Sequence, residues 1–154
     1  MYLITKTGLG KLEVPLTVGS MQNGVTLTMV SLIGLGSDQV SKSTNEANMI
    51  ESYHLDEHGG IDGQVLRDGL LSLNRREADH VSIYLYASPQ SLQVGTFWYP
   101  CLSTLAVRDM FWLIVIDKAH CIAQDGHDFR PKFLSAMRTL KLLYNNQHSK
   151  CNQI

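Results

Sequence analysis

Residues 111–117 read Phe-Trp-Leu-Ile-Val-Ile-Asp, and a polar loop runs on through Lys118, His120, Cys121, Gln124, Asp125, His127, Phe129 and Arg130 to Pro131. An apolar, β-branched run of this kind is the pattern of a strand buried in a parallel sheet. Its final residue, Asp117, brings a carboxylate to the strand's C-terminal end, where open α/β sheets hold their ligands. Near the start, Thr7-Gly8-Leu9-Gly10-Lys11 is a shortened match to a phosphate-binding loop. Glycines there let backbone N–H groups line a concavity for phosphate oxygens, and a lysine reaches the outer phosphates. Such a short match is common in ordinary turns, and the full pattern places Ser or Thr after the lysine to reach Mg²⁺. This chain has Leu12 instead. A third candidate, His54-Leu55-Asp56-Glu57-His58, fits the inverted zinc pattern His-x-x-Glu-His. That chemistry needs a helix to aim both histidines at one metal. Here the segment leads from a strand pattern into Gly59-Gly60, so a solvated strand end is the better account.

The elements that must position these residues alternate between two periodicities. Strands are expected over 25–32, 50–55, 81–86 and 112–116, from runs rich in Val, Ile, Thr, Leu and Tyr. Helical spacing marks 34–42, 62–73 with Asp62 as its cap, 102–107, and 133–144 with Leu134, Met137, Leu140 and Leu143 on one face. Residues 12–21 could also start a helix, with Pro15 in its first turn. Strand–helix alternation argues for a parallel sheet covered on both faces. Phe97, Trp98, Tyr99, Phe111 and Trp112 are read as packing residues rather than stacking platforms.

Composition bounds the rest. A length of 154 residues suits one domain, and 44% hydrophobic with 18% charged residues describes a globular chain rather than a disordered one. A net charge of −1 leaves no global basic field, so any nucleic-acid binding must be local. The three cysteines, Cys101, Cys121 and Cys151, are odd in number and widely spaced, as expected of reduced thiols in an intracellular compartment. No apolar run approaches the ~20 residues that span a bilayer, and no membrane association is expected. The N-terminal residues are too few for a secretory signal, and no basic cluster supplies a nuclear import signal.

Four stretches, taken in order, resemble the RecQ-type DNA helicases. After the Thr7–Lys11 loop, Ser31-Leu32-Ile33-Gly34-Leu35-Gly36-Ser37-Asp38-Gln39-Val40 is similar to the family motif Pro-Leu-Ile-Ala-Leu-Met-x-Asp-Gln-Val. Tyr84-Leu85-Tyr86-Ala87-Ser88-Pro89-Gln90-Ser91-Leu92 resembles its Thr-Pro-Glu-Arg-Leu strand end. Asp117-Lys118-Ala119-His120 and the loop to Pro131 are similar to the second helicase motif, Asp-Glu-Ala-His in the family, and its adjoining loop. The Cys121–Pro131 stretch is the most specific part, and the four follow the family's order and spacing over nearly the whole chain.

The resemblance implies an α/β fold, a three-layer P-loop NTPase (RecA-like) parallel sheet with helices on both faces, incomplete at both ends. Residues 1–154 would form one partial helicase ATP-binding domain, with the second RecA-like domain and the strand between the phosphate-loop and Asp117 strands absent. ATP and Mg²⁺ are the implied cofactors: Thr7, Gly8, Gly10 and Lys11 would bind ATP, and Asp117 would hold the Mg²⁺ water shell. His120 would couple that site to the DNA-binding parts. Asp38, Gln39, Ser88, Pro89, Gln124, His127, Phe129 and Arg130 match positions that contact single-stranded or forked DNA. The implied activity is an ATP-dependent 3′–5′ DNA helicase of repair and recombination, working inside the cell and in the nucleus.

The departures from that pattern matter as much. Lys118 replaces the glutamate that would activate the attacking water, and a lysine beside phosphates stays protonated and cannot act as that base. Leu12 removes a metal ligand. Asp125 replaces a tryptophan, setting a negative charge where a base would stack. Together these predict a hydrolysis-defective copy. The alternative is a non-catalytic pseudo-helicase fragment, acting as a binding module for nucleic acid or a protein partner, or a decayed gene product.

Overall fold

The computed structural model describes residues 23–30, 40, 50–74, 80–117 and 131–148. In chain order the elements are β1 (Gly24–Met29), β2 (Ile50–His54), α1 (Gly60–Ser72), β3 (Ser82–Ala87), α2 (Tyr99–Val107), β4 (Phe111–Ile116) and α3 (Pro131–His148). The four strands form one parallel sheet in the order β2-β3-β1-β4. The expected helix at 62–73 begins two residues earlier. Gly59 is its N-cap, and Asp62 lies within the first turn without capping it. There a carboxylate still favours the exposed N–H groups of the helix start. α2 starts at Tyr99 rather than 102, with Pro100 in the first turn, where its missing N–H is harmless.

Parallel strands need long crossovers, and right-handed crossovers fix which face each one covers. The β2-to-β3 and β3-to-β4 connections move the same way across the sheet, so α1 and α2 share a face. There Val25, Leu27, Met29, Ile83, Leu85 and Ala87 meet Leu70 of α1, Leu102, Leu105 and Ala106 of α2, and Phe133, Ala136, Leu140 and Leu143 of α3. The β1-to-β2 connection moves the opposite way, and its helical residue Val40 packs on the other face against Val30, Tyr84 and Tyr86. Thr26 and Thr28 are buried on that face. Both faces of β1 are therefore shielded, as the apolar strand pattern requires.

α2 ends in a tight stop. Asp109 takes a left-handed φ of 58°, Asp109 N–H donates to Ala106 O, and Met110 N–H donates to Leu105 O. This is the Schellman arrangement, here with aspartate in the position usually held by glycine. Gln147 of α3 donates to Asp109 Oδ1 at 2.8 Å and pins that corner. The chain then enters β4, where Val25 pairs with Phe111 but Thr26 pairs with Leu113. Trp112 is the extra residue of this irregularity and stays 43% exposed, while Phe111 is buried. Gly24 accommodates the irregularity. Its φ is +126°, and a Cβ there would meet Trp112 Cβ at 3.4 Å. Of the five aromatics read as packing residues, Trp98 and Phe111 are buried, Tyr99 is half-buried, and Phe97 and Trp112 are partly exposed. Phe97 stacks edge-on with Trp98 and under the guanidinium of Arg67.

Two glycines of α1 separate packing from propensity. A Cβ on Gly63 would lie 2.8 Å from His58 O, whereas one on Gly69 would meet nothing within 4 Å. Urea unfolding should show Gly63→Ala losing about 1–3 kcal/mol through forced backbone movement. Gly69→Ala should gain about 0.5–1 kcal/mol through helix propensity.

Candidate functional site

All four strands point the same way, so their C-terminal ends gather at one edge of the sheet. Val30, Leu55–Glu57, Ser88–Ser91 and Asp117 all follow strand ends there. Asp117 is held by its own backbone, since its N–H donates to Met29 O at 3.0 Å beside the end of β1. It is half-buried, leaving the residue accessible at the edge. β1 separates it from Ser88, a distance of two strand spacings or roughly 10 Å.

The end of β3 is tied to the end of β2 by one carboxylate. Asp56 Oδ2 accepts from Ser88 N–H at 2.8 Å and from Ser91 Oγ at 3.0 Å, and Asp56 Oδ1 accepts from Ser88 Oγ. Leu55 N–H donates to Tyr86 O at 2.8 Å, and Trp98 Nε1 donates to Leu55 O at 2.8 Å. Thr96 Oγ1 closes the turn beyond, its one proton shared between Ser91 O and Gln93 O, each at 2.7 Å. Ser88 is 1% exposed, and Pro89 is buried beside it. Sequence reasoning passed over Asp56 except within the zinc pattern, because its partners lie 32 and 35 residues away.

The zinc pattern itself is split between elements. His54 is the last residue of β2, and His58 precedes α1 with its ring edge-on to Tyr53 at 5.8 Å. They do not share the helical turn that chemistry needs. His54 is buried and, among the described residues, neither ring nitrogen has a hydrogen-bond partner. Its nitrogens lie 3.8 Å from Asp56 Oδ2 and from Glu57 Oε1.

Three weak acids, Tyr84 and Cys101 buried and Tyr53 partly so, are held neutral. Burial, aided by the hydrogen bond to Glu51, pushes the Tyr53 hydroxyl up to about 12. Burial does the same for Tyr84, with the neighbouring Tyr86 adding to it, again to about 12. Burial pushes the Cys101 thiol up to about 11.

Asp117, Ser88 and Pro89 are thus the expected site residues that can be placed. Thr7, Gly8, Gly10, Lys11, Leu12, Asp38, Gln39, Lys118, His120, Gln124, Asp125, His127, Phe129 and Arg130 lie outside the described residues. No helix among the described residues is long and apolar enough to cross a membrane.

A four-stranded parallel sheet with helices packed on it and an acidic residue at its carboxyl edge defines an open α/β domain consistent with a RecA-like fragment. The chain is a distant homologue of part of the RecQ-family DNA helicases. It is 30% identical over 134 residues to ATP-dependent DNA helicase Q5 of Mus musculus, covering 87% of this chain and 13% of that protein. Against RecQ-like DNA helicase BLM of Xenopus laevis it is 29% identical over 132 residues, 86% of this chain and 9% of that protein. ATP-dependent DNA helicase RecQ of Haemophilus influenzae is 33% identical over 111 residues, 72% of this chain and 16% of that protein. The chain therefore spans a sixth or less of the length of these relatives. No family model matches it.

Two measurements check the geometry of this edge. A double-mutant cycle on Asp56→Ala and Ser88→Ala should return a coupling of about 1–3 kcal/mol in urea unfolding, the range for charge-assisted hydrogen bonds lost together. Alkylation at pH 8 should spare Cys101 in the folded chain and reach it after unfolding, as read by peptide mass. Because the raised thiol value favours the neutral form in the folded state, stability from this group is intact below about pH 9. It should fall as pH rises through about 11.

Proposed function

We propose that the chain is the ATP-binding and nucleic-acid-binding unit of a RecQ-like 3′–5′ DNA helicase, defective in hydrolysis as it stands. The observation that carries this reading is the position of Asp117. It lies at the carboxyl edge of the sheet beside β1, in a chain whose sequence follows part of the RecQ helicases over most of its length. Hard cations take oxygen ligands, and a strand-end carboxylate fits Mg²⁺. When bound, Mg²⁺ would neutralise phosphate charge. The chain's own residues then divide the remaining work.

Backbone N–H groups of Thr7, Gly8 and Gly10 and the Lys11 ammonium would hold the phosphates. Asp38, Gln39, Ser88, Pro89, Gln124, His127, Phe129 and Arg130 would lie along single-stranded or forked DNA, with His120 between the two sites. Residues 1–154 form one RecA-like unit in this reading, and strand separation would need a second. Work on DNA would place the protein inside the cell, in the nucleus where the host has one, and would suit repair and recombination.

Lys118 and Leu12 set the limit on activity and favour the second reading, a pseudo-helicase that binds without turnover. A protonated lysine cannot accept the proton of an attacking water, and loss of such a group costs about 10²–10⁴ in rate. A fluorescent ATP analogue with Mg²⁺ should bind the chain saturably, and Lys11→Ala should abolish that binding. ATP turnover should be undetectable with or without oligothymidylate, then rise by at least about 10²-fold in the double variant Leu12→Ser, Lys118→Glu. DNA-stimulated turnover by the unaltered chain would refute the defect. Absence of analogue binding by a folded chain would refute the nucleotide site.

A further inference from the structure

The turn after β3 has the donor set of an anion site and already contains an anion. Ser88 N–H, Ser88 Oγ and Ser91 Oγ converge on a single carboxylate, that of Asp56, just beyond the end of the neighbouring strand β2. Backbone and hydroxyl donors gathered in a turn at the carboxyl edge of a parallel sheet form the kind of concavity that holds phosphate oxygens. Each such donor can serve one strong acceptor at a time. Ser91 Oγ also lies within reach of Ser88 O at 3.2 Å, so this hydroxyl has no further proton to offer. The occupant sits at the rim: the Asp56 side chain is 12% exposed, while Ser88 is sealed behind it. Asp56 belongs to the three-residue turn between β2 and α1, outside any regular element, where rotation of its side chain would open the cradle.

We propose that Asp56 fills the Ser88–Ser91 cradle as an internal anion, so that its carboxylate and a nucleic-acid phosphate compete for the same donors. This rests on the reading of Ser88 and its turn as a nucleic-acid contact. It adds to that reading a device that keeps the contact closed in the free chain. Closure follows from charge as well as from occupancy. A phosphate approaching the turn meets a carboxylate of like sign, and the donors that would stabilise it are committed. Asparagine at position 56 keeps the shape and one acceptor but loses the charge and the second acceptor oxygen, which weakens the internal occupant and leaves the external one unaltered.

The test is fluorescein-labelled oligothymidylate binding by the full chain, followed by anisotropy at several salt concentrations. Asp56→Asn should tighten binding roughly tenfold, the factor one charge-assisted hydrogen bond commands. Its salt dependence should steepen by about one phosphate contact. Glu57→Gln removes the same charge one residue away without emptying the cradle, and should change affinity by less than about threefold, as expected of an exposed, screened charge. Adding Ser88→Ala to Asp56→Asn should erase the gain. Equal gains from Asp56→Asn and Glu57→Gln would overturn the proposal, leaving only a general charge effect.

Inorganic phosphate separates this proposal from the reading beneath it. If neither chain binds oligothymidylate but phosphate shifts the Ser88 amide resonance in Asp56→Asn and not in the unaltered chain, the cradle stands and its nucleic-acid use fails. If both chains bind oligothymidylate equally and phosphate leaves Ser88 unmoved in both, the cradle fails and the nucleic-acid reading stands. Should Asp56→Asn not fold, the unaltered chain carries its own readout. The Asp56 carboxyl carbon resonance should move on saturation with oligothymidylate as its donors leave, and a fixed resonance in a DNA-bound chain overturns the proposal.

Discussion

β1 is a buried parallel strand paired along both edges, with β3 on one side and β4 on the other. A strand in that position can leave no backbone group unpaired, since each would cost the full penalty of desolvation without compensation. Register follows from this need. Leu27 lines up with Leu85 and Ile114, and Met29 with Ala87 and Ile116, so the apolar residues of three strands fall on one face. The same pairing continues past the strand ends. Val30 N–H reaches Ala87 O and Asp117 N–H reaches Met29 O, so the first residues beyond β1 and β4 are positioned by the sheet rather than by their loops. A carboxylate at this edge is thereby attached to the sheet through its own backbone.

The neighbouring edge uses a different principle. Between β2 and β3 the backbone ladder gives way to a side chain: the Asp56 carboxylate takes three donors from the β3 turn, and Trp98 caps Leu55 from the start of α2. Buried polar networks of this kind are favourable only when their members are satisfied. His54, beside it, has neither ring nitrogen hydrogen-bonded, and among the described residues Arg67 Nε is likewise buried without a partner. Among the described residues, Asp56, Ser88, Ser91 and Asp117 all lie just beyond the carboxyl ends of strands. In open α/β sheets, ligands bind outside these carboxyl ends.

Homology and geometry bear on different parts of the function. Similarity to RecQ helicases runs over most of the chain and makes ATP and DNA the ligands to test. Leu12 and Lys118 stand within the matching motifs, where the resemblance implies a metal ligand and a water-activating glutamate. The role proposed for Asp56 concerns neither, but access of a phosphate-sized anion to the β3 turn. The core residues and the strand-end residues are drawn from different positions of the same strands, so a change at a strand end need not disturb the core.

Among the described residues, element type and order were legible from periodicity: β1 and β3 are buried along their length, the partly buried outer strand β4 carries a similar apolar, β-branched run, and the helices show 3.6-residue spacing. Residues 25–29, 82–86 and 112–116 all read as strand and are strand. The boundaries that shifted did so for local reasons: Gly59 and Gly60 end β2's turn by starting α1, and Pro100 opens α2 earlier than its apolar spacing suggests. Asp117 was visible as the polar end of an apolar run. Sheet order, the extra residue at Trp112 and the seizure of Ser88 by Asp56 were not visible, because each depends on residues brought together from 32 to 87 positions apart. Sequence periodicity determines which segments must be buried; only the packed sheet decides which strand ends meet, and so which donors share an acceptor.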